Sequence, residues 1–100
     1  MTDSQFDDLI HAPNRLKICA LLASVESAEF RILRENIGVS DSVLSKQIRL
    51  LEDAGYVKIR KKAVKTGKKT WVSLTKRGKK AFAGHAKELQ RIAASATHLL

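Results

Sequence analysis

The sequence is poor in the residues that cross-link or kink small proteins, with one cysteine, one proline and five glycines in 100 residues. A single cysteine excludes an intramolecular disulfide and a cysteine-based metal cluster. Cys19 stands between Ile18 and Ala20 in an apolar stretch, which is typical of a buried structural thiol. With 44% hydrophobic residues, the low glycine and proline content favours a folded, helix-rich domain over a disordered chain.

Long hydrophobic runs are also missing. No stretch approaches the roughly 18 consecutive apolar residues of a membrane-spanning helix. Residues 1–10 are acidic, whereas a signal peptide begins with a basic segment. These absences predict a cytoplasmic protein without a membrane partner. No repeat or linker divides the chain, so we expect residues 1–100 to form a single domain.

Acidic residues are absent from positions 58 to 80, where eleven lysine or arginine residues occur. The formal net charge is +9, and it is unevenly distributed along the chain. Residues 58–100 contain 13 basic and one acidic side chain, whereas residues 1–57 contain 6 basic and 9 acidic ones. This asymmetry predicts a polyanionic partner, with nucleic acid favoured over a membrane surface.

Motifs of enzymes and of metal sites are not found. His11, His85 and His98 are widely separated, so each is predicted to be a surface or helix-seam residue rather than a metal ligand. The segment 67–70 reads GKKT, but a phosphate-binding loop would need a glycine where Lys62 stands. We therefore predict neither an enzyme nor a cofactor.

Apolar residues recur at helical spacing in the first half of the chain. They predict a helix from Pro13 to about Ser24, a second helix over 30–37 and a third from Asp41 to about Ala54. Gly38 follows the second helix, where a left-handed residue is needed, and Ser40 can cap the third. A tight turn is therefore predicted between two helices.

The third predicted helix has two distinct faces. Leu44, Ile48 and Leu51 follow the spacing i, i+4, i+7 and form an apolar stripe. The opposite stripe combines small hydroxyls and cations without a carboxylate, and its residues are Ser42, Ser45, Lys46 and Arg49. Alone, such a stripe is typical of a solvated helix surface; beside a basic hairpin it indicates contact with nucleic acid.

From position 57 to 75 the pattern changes to the two-residue alternation of half-buried strands. With residues 66–67 as a two-residue loop, Ile59 would face Leu74, and the inward residues of both strands would share one face. Trp71 would then lie on the outer face opposite Lys62. A cation-π pair and packing against a neighbouring helix or DNA are the alternatives for its ring.

A last helix is predicted from about 76 to 98, with Thr75 as its cap. Apolar residues recur every seven positions along it and form a seam wider than a core of this size needs, which favours packing against a second copy. Together with an apolar N-terminal segment, the predicted dimerisation residues are Phe6, Leu9, Ile10, Phe82, His85, Leu89, Ile92, Ala93 and Ala96.

The order of these elements, three helices with a tight glycine turn followed by a basic hairpin, is the layout of an α+β winged helix-turn-helix. The segments PNRLKICALLA, FRILRENIGVSDSVLSKQIRLLEDAGYVKIRKK and WVSLTKRGKKAF resemble the DNA-binding domain of MarR/ArsR-like winged-helix transcriptional regulators. The resemblance covers about residues 12–84, with the winged core at about 12–75 and a two-stranded hairpin as the wing.

The resemblance implies a homodimer that binds a pseudo-palindromic operator in double-stranded DNA. By position in the family, the recognition helix would present Ser42, Val43, Ser45, Lys46 and Arg49, and residues 65–69 would form the wing tip. The basic wing residues predicted to contact DNA are Arg60, Lys62, Lys65, Lys68 and Lys69.

The function predicted from the sequence is a sequence-specific transcriptional regulator, most simply a repressor that occludes a promoter. Two alternatives remain open. The same fold could serve as a sequence-indifferent architectural DNA- or RNA-binding clamp, or the dimer seam could hold an unknown small-molecule effector.

Overall fold

The computed structural model describes residues 5–97, which form five helices and a three-stranded antiparallel sheet with strand order β1-β3-β2. This arrangement confirms the predicted winged-helix fold. The elements are α1 (Asp8–His11), α2 (Pro13–Ala23), β1 (Ala28–Glu29), α3 (Phe30–Ile37), α4 (Asp41–Asp53), β2 (Val57–Val64), β3 (Gly67–Leu74) and α5 (Lys76–Thr97).

The core forms where the apolar sides of the helices meet the inner face of the sheet. α2 contributes its buried residues Ile18, Cys19 and Leu22, and α4 contributes the whole predicted apolar stripe. Burial raises the pKa of the Cys19 thiol to about 12, so this thiol stays protonated at neutral pH. The predicted structural role of the cysteine agrees with its burial.

The turn between α3 and α4 follows from local chemistry. Gly38 has a φ of 76°, a left-handed conformation that a side chain would disfavour. The Ser40 hydroxyl accepts a hydrogen bond from the backbone N–H of Val43 at 3.2 Å and so caps α4. α3 has its predicted bounds, and α4 ends one residue earlier than expected.

The sheet differs from the predicted two-stranded hairpin in having a third strand. β1 pairs with β3, so that Ala28 lies opposite Val72 and Glu29 opposite Trp71. A strand of two residues is too short to show the period-two pattern from which strands are predicted.

The predicted register of the hairpin was wrong by two residues. Val57, rather than Ile59, lies opposite Leu74, and the two-residue loop is formed by residues 65–66. A shift of two residues leaves every side chain on its predicted face because the side-chain period in a strand is two. It does change neighbours, and Trp71 lies opposite Arg60 instead of Lys62.

The start of α5 is attached to the end of α4. The Thr75 hydroxyl donates to the carbonyl of Gly55 at 2.6 Å and accepts from the backbone N–H of Gly78 at 3.0 Å. Thr75 is thus the predicted cap of this helix. The predicted helix end near 98 lies outside the described residues, as does His98. In the described part of the chain, no helix has the length and apolar character needed to span a membrane.

The residues predicted for dimerisation fall into three groups by burial. Ile10 and His85 are fully buried within the monomer, both with 0% exposure, and so are removed from the predicted contact surface. Phe6, Leu9, Phe82 and Leu89 are half-buried. Along α5, every residue from 90 to 96 is exposed, including Ile92 at 43%, Ala93 and Ala96.

Candidate nucleic-acid interface

The exposed side of α4 carries the predicted recognition residues. Because Leu44, Ile48 and Leu51 are buried, the opposite side of the helix must face solvent. All five predicted residues are exposed there, and four of them line a shallow concavity that ends at Leu50 and Asp53. The five are Ser42, Val43, Ser45, Lys46 and Arg49. This side is free to enter a groove of DNA, and its hydroxyls and cations can pair with base edges or phosphates.

Arg15 and Arg34 fix the position of α4. The guanidinium of Arg15 donates to the Gln47 side chain of α4 at 2.6 Å and to the carbonyl of Leu9 at 2.6 Å. Arg34 of α3 pairs with Asp41 in the first turn of α4 at 2.6 Å. These contacts join α4 to the preceding helices, so the recognition residues are held by a preorganised scaffold.

A cleft of about 390 Å³ separates α4 from the sheet. Ser45 and Arg49 line it on the helix side, and Lys61 and Thr70 line it on the strand side. Lys61 is exposed and faces the recognition helix. It was not among the predicted DNA contacts because alternation assigned it to the inward face. The hairpin extends beyond the core here, so an inward residue can still be in solvent.

The five predicted wing cations do not lie on one side of the hairpin. The register places Lys68 on the face that Lys61 and Thr70 share, towards α4. Lys65 lies in the turn, at the wing tip. The remaining three occupy the opposite face, and these are Arg60, Lys62 and Lys69.

The wing also concentrates positive charge. Lys62 and Lys69 lie directly opposite each other, a like-charged pair that is unfavourable without an anion nearby. Among residues 5–97, Lys69 is the one wing cation with an ion pair, a 3.9 Å contact with Glu29. The other wing cations are therefore available to phosphates, which is the electrostatic requirement for binding nucleic acid.

A partly buried polar cluster around His85 joins α1, α5 and the segment after α4. The backbone N–H of Asp7 donates to Nδ1 of His85 at 2.9 Å, and Nε2 of His85 lies 3.2 Å from Nδ1 of His11. The Asp7 carboxylate caps α1 and accepts from the Tyr56 hydroxyl. The Phe6 ring packs on both histidines, with centroids 4.7 Å apart in each case.

This cluster was not predicted from the sequence, because His11 and His85 are 74 positions apart. An N–H can only donate, so Nδ1 of His85 must be its acceptor and the ring carries its proton on Nε2. Nε2 then donates to His11. Among the described residues no group of three His, Cys, Asp or Glu side chains could hold a metal ion, so the cluster is a hydrogen-bonded one.

The His85 contacts predict a pH-dependent stability. Burial, assisted by the neighbouring His11, lowers the pKa of His85 in the folded chain, against the opposing influence of Asp7 and Asp8. The unfolded chain then binds more protons than the folded one at acidic pH. The contribution of His85 to the free energy of unfolding should be fully present above the pKa of histidine in the unfolded chain, about 6.5. It should be lost as the pH decreases below that value, by at most about 1.4 kcal/mol per pH unit for one proton.

Urea unfolding at pH 7.5 and 5.5 measures this effect. His85→Gln keeps a side-chain acceptor but cannot titrate, so its free energy of unfolding should change less between the two pH values than that of the unaltered chain. An equal change in both proteins would assign the pH dependence to other groups.

The comparisons with known proteins agree with this geometry. The winged helix DNA-binding domain family matches residues 14–93, most of the chain. The chain is 33% identical over 78 residues to an uncharacterized protein of Methanocaldococcus jannaschii, covering 78% of this chain and 85% of that protein. This chain belongs to the family of winged helix DNA-binding domains.

Solved structures share the fold. A transcriptional regulator homologue from Pyrococcus horikoshii OT3 superimposes with a TM-score of 0.83 at 24% identity, covering 88% of this chain and 87% of that one. NadR in complex with 4-hydroxyphenylacetate superimposes with a TM-score of 0.71 at 19% identity, covering 91% of this chain and 67% of NadR. The family is one of DNA-binding domains rather than of enzymes.

Proposed function

We propose that this protein is a cytoplasmic homodimer that binds a pseudo-palindromic operator in double-stranded DNA and represses transcription by occluding a promoter. The observation that carries the proposal is the exposed stripe of α4 beside the basic wing. Arg49 and Ser45 line one wall of the cleft between them, and Lys61 lines the other. Such a cleft can accept a strand of the DNA backbone while α4 lies in the major groove.

The division of labour follows from the chemistry of the side chains. Arg49 and Lys46 would contact guanine or phosphate, and Ser42 and Ser45 would hydrogen-bond base edges or phosphates. Val43, exposed beside them, offers an apolar contact to a thymine methyl group. The wing cations would supply affinity that depends little on sequence, through Arg60, Lys61, Lys62, Lys65, Lys68 and Lys69.

The dimer is proposed from α5. This helix has 22 residues, about 33 Å at 1.5 Å per residue, and its exposed end carries Ile92, Ala93 and Ala96. Packing this end against a second copy would bury them and relate two recognition helices by a two-fold axis. The helices would then enter major grooves about one turn, roughly 34 Å, apart.

Two substitutions test the division of labour. Arg49→Ala should weaken operator binding by about 1–3 kcal/mol and reduce the preference for operator over random duplex, because it removes a base-reading group. Lys68→Ala should weaken both duplexes similarly and lower the salt dependence, because it removes a phosphate contact. Affinities measured by fluorescence anisotropy at several salt concentrations give both quantities.

The operator for this test comes from genomic fragments protected by the purified protein, with a shuffled sequence as the random duplex. Lys87→Ala, an exposed cation on α5, is a charge-matched control and should change neither affinity much. If Arg49→Ala weakens operator and random duplex by the same factor, α4 does not read sequence.

The rival proposal is a sequence-indifferent clamp for DNA or RNA. The wing favours it, because its cations are numerous and mostly without ion pairs in the described residues. Genome-wide footprinting separates the two proposals. A few inverted repeats would support the regulator, and a flat profile would support the clamp. A small-molecule effector at the dimer seam stays a prediction, and a thermal-shift screen would address it.

A further inference from the structure

The face of the sheet that points away from α4 is built differently from a solvated strand surface. We call it the outer wing face and define it by Lys58, Arg60, Lys62, Trp71 and Ser73. The register places Arg60 directly opposite Trp71, and Lys58 directly opposite Ser73. The half-buried indole of Trp71 therefore lies at the centre of this face, with a row of three cations along the adjacent strand β2.

The outer wing face is concave. All five of its residues line a cavity of about 360 Å³, which Glu26, Ser27 and Ile59 also line. Cavities of roughly 300 Å³ and more are the size that small ligands occupy. No α4 residue lines this cavity, and the cleft between α4 and the wing lies on the other side of the hairpin. A duplex bound in that cleft would leave this cavity open.

The outer wing face carries more positive than negative charge. Lys58, Arg60 and Lys62 recur every second residue, about 7 Å apart along an extended strand, and form no ion pair within residues 5–97. The nearby carboxylate of Glu29 is already paired with Lys69 at 3.9 Å. A row of cations beside an aromatic ring is the combination by which proteins bind unpaired nucleotides, through phosphate pairing and base stacking.

We propose that the outer wing face binds a nucleotide unit, with its base stacked on Trp71 and its phosphate on Arg60 and Lys62. Two further lining residues can read the edge of the base, because the hydroxyl of Ser73 donates or accepts and the carboxylate of Glu26 accepts from an exocyclic amino group. The same chemistry is offered by a free mononucleotide and by an unpaired nucleotide in a single strand. The site lies on the other face of the hairpin from the cleft beside α4, and it shares Arg60 and Lys62 with the wing cations proposed above to contact duplex phosphates.

Trp71 is the only tryptophan in the chain, so its fluorescence reports directly on this cavity. The probes are AMP, a single-stranded adenine oligonucleotide, a blunt random-sequence duplex and inorganic phosphate. We expect saturable quenching by AMP or by the oligonucleotide, since stacking requires an exposed base. Quenching by AMP would show that a free mononucleotide is enough to occupy the site. Quenching by the oligonucleotide but not by AMP would show that the ligand is an unpaired nucleotide within a single strand.

Variants on the two faces of the hairpin separate this site from general charge attraction. Arg60→Gln combined with Lys62→Gln should lower the affinity for the nucleotide that quenches Trp71 at least about tenfold, because both phosphate contacts are lost. The charge-matched control is Lys61→Gln combined with Lys68→Gln, which removes two cations from the opposite face and should leave the titration within about twofold. Arg49→Ala should weaken duplex binding without affecting quenching by the nucleotide. This variant therefore tests the nucleotide site separately from the proposed binding of duplex DNA.

Three results would overturn the proposal. One is the absence of saturable quenching by AMP and by the oligonucleotide. Another is quenching by the duplex alone, which would make Trp71 part of the duplex interface. The third is an equal loss in the Lys61→Gln, Lys68→Gln control and in the Arg60→Gln, Lys62→Gln variant, which would reduce the effect to net charge.

Discussion

Gly78→Ala is expected to lower the free energy of unfolding by about 2–4 kcal/mol. A Cβ at this position would overlap the carbonyl oxygen of Tyr56 and lie 2.9 Å from its carbonyl carbon. That carbonyl already accepts from the backbone N–H of Thr75 at 3.0 Å, so it cannot move without breaking the connection between α4 and α5. Alanine improves helix propensity by only about 1 kcal/mol, and the steric cost exceeds this gain.

Gly84→Ala in the same helix is the matched control. The three atoms nearest to a Cβ there all belong to the Gln5 side chain: it would overlap Oε1 and lie 3.1 Å from Cβ and 3.2 Å from Cδ. The amide end of a flexible side chain can turn aside, so the gain in propensity should roughly offset the contact. Urea unfolding of both variants measures the difference. Equal stabilities would show that α5 does not approach the Tyr56 backbone this closely.

Ile92→Glu is expected to convert a dimer into a monomer and to weaken operator binding by about a hundredfold or more. Ile92 is 43% exposed, on a stretch of α5 in which every residue from 90 to 96 is exposed. A buried, unpaired carboxylate at a helix seam costs several kcal/mol, which a small seam cannot offset. A monomer would lose the second half-site contact and with it an avidity of about 10²–10⁴.

The control must carry the same change in charge and exposure. Val25→Glu replaces an apolar residue with 41% exposure in the segment between α2 and β1, away from α5. It should remain a dimer and lose little affinity. Sedimentation velocity at micromolar concentration gives the oligomeric state, and anisotropy gives the affinity. If the unaltered protein is a monomer, or if Ile92→Glu remains a dimer, the proposal that α5 forms the dimer interface is wrong.

Local patterns predicted much of the fold. The bounds of α3, the left-handed Gly38, the Ser40 cap and the division of α4 into two faces follow from side-chain spacing and capping chemistry, which act within a few residues. The assignment of strand residues to faces was also right, because it depends on period alone. All five α4 residues predicted for DNA contact are exposed.

Features that depend on contacts distant in sequence were not predictable in this way. A two-residue shift of the hairpin keeps the alternation intact, so the sequence could not separate Arg60 from Lys62 as the neighbour of Trp71. The strand β1 forms because it pairs with the free edge of β3. Two residues are too few to show the alternation from which a strand is predicted. The extension of the hairpin beyond the core exposed Lys61, which alternation had placed inside.

The amino-acid sequence by itself determined the class of this protein, since helix spacing, capping and charge are written locally and point to a winged helix with a polyanionic partner. Only the tertiary structure decided which cations share a face, which residues leave the seam for the interior, and that His85, His11 and Asp7 meet between α1 and α5. The physical reason is chain folding. Packing brings together groups from distant positions, and the side-chain period cannot specify which residues become neighbours.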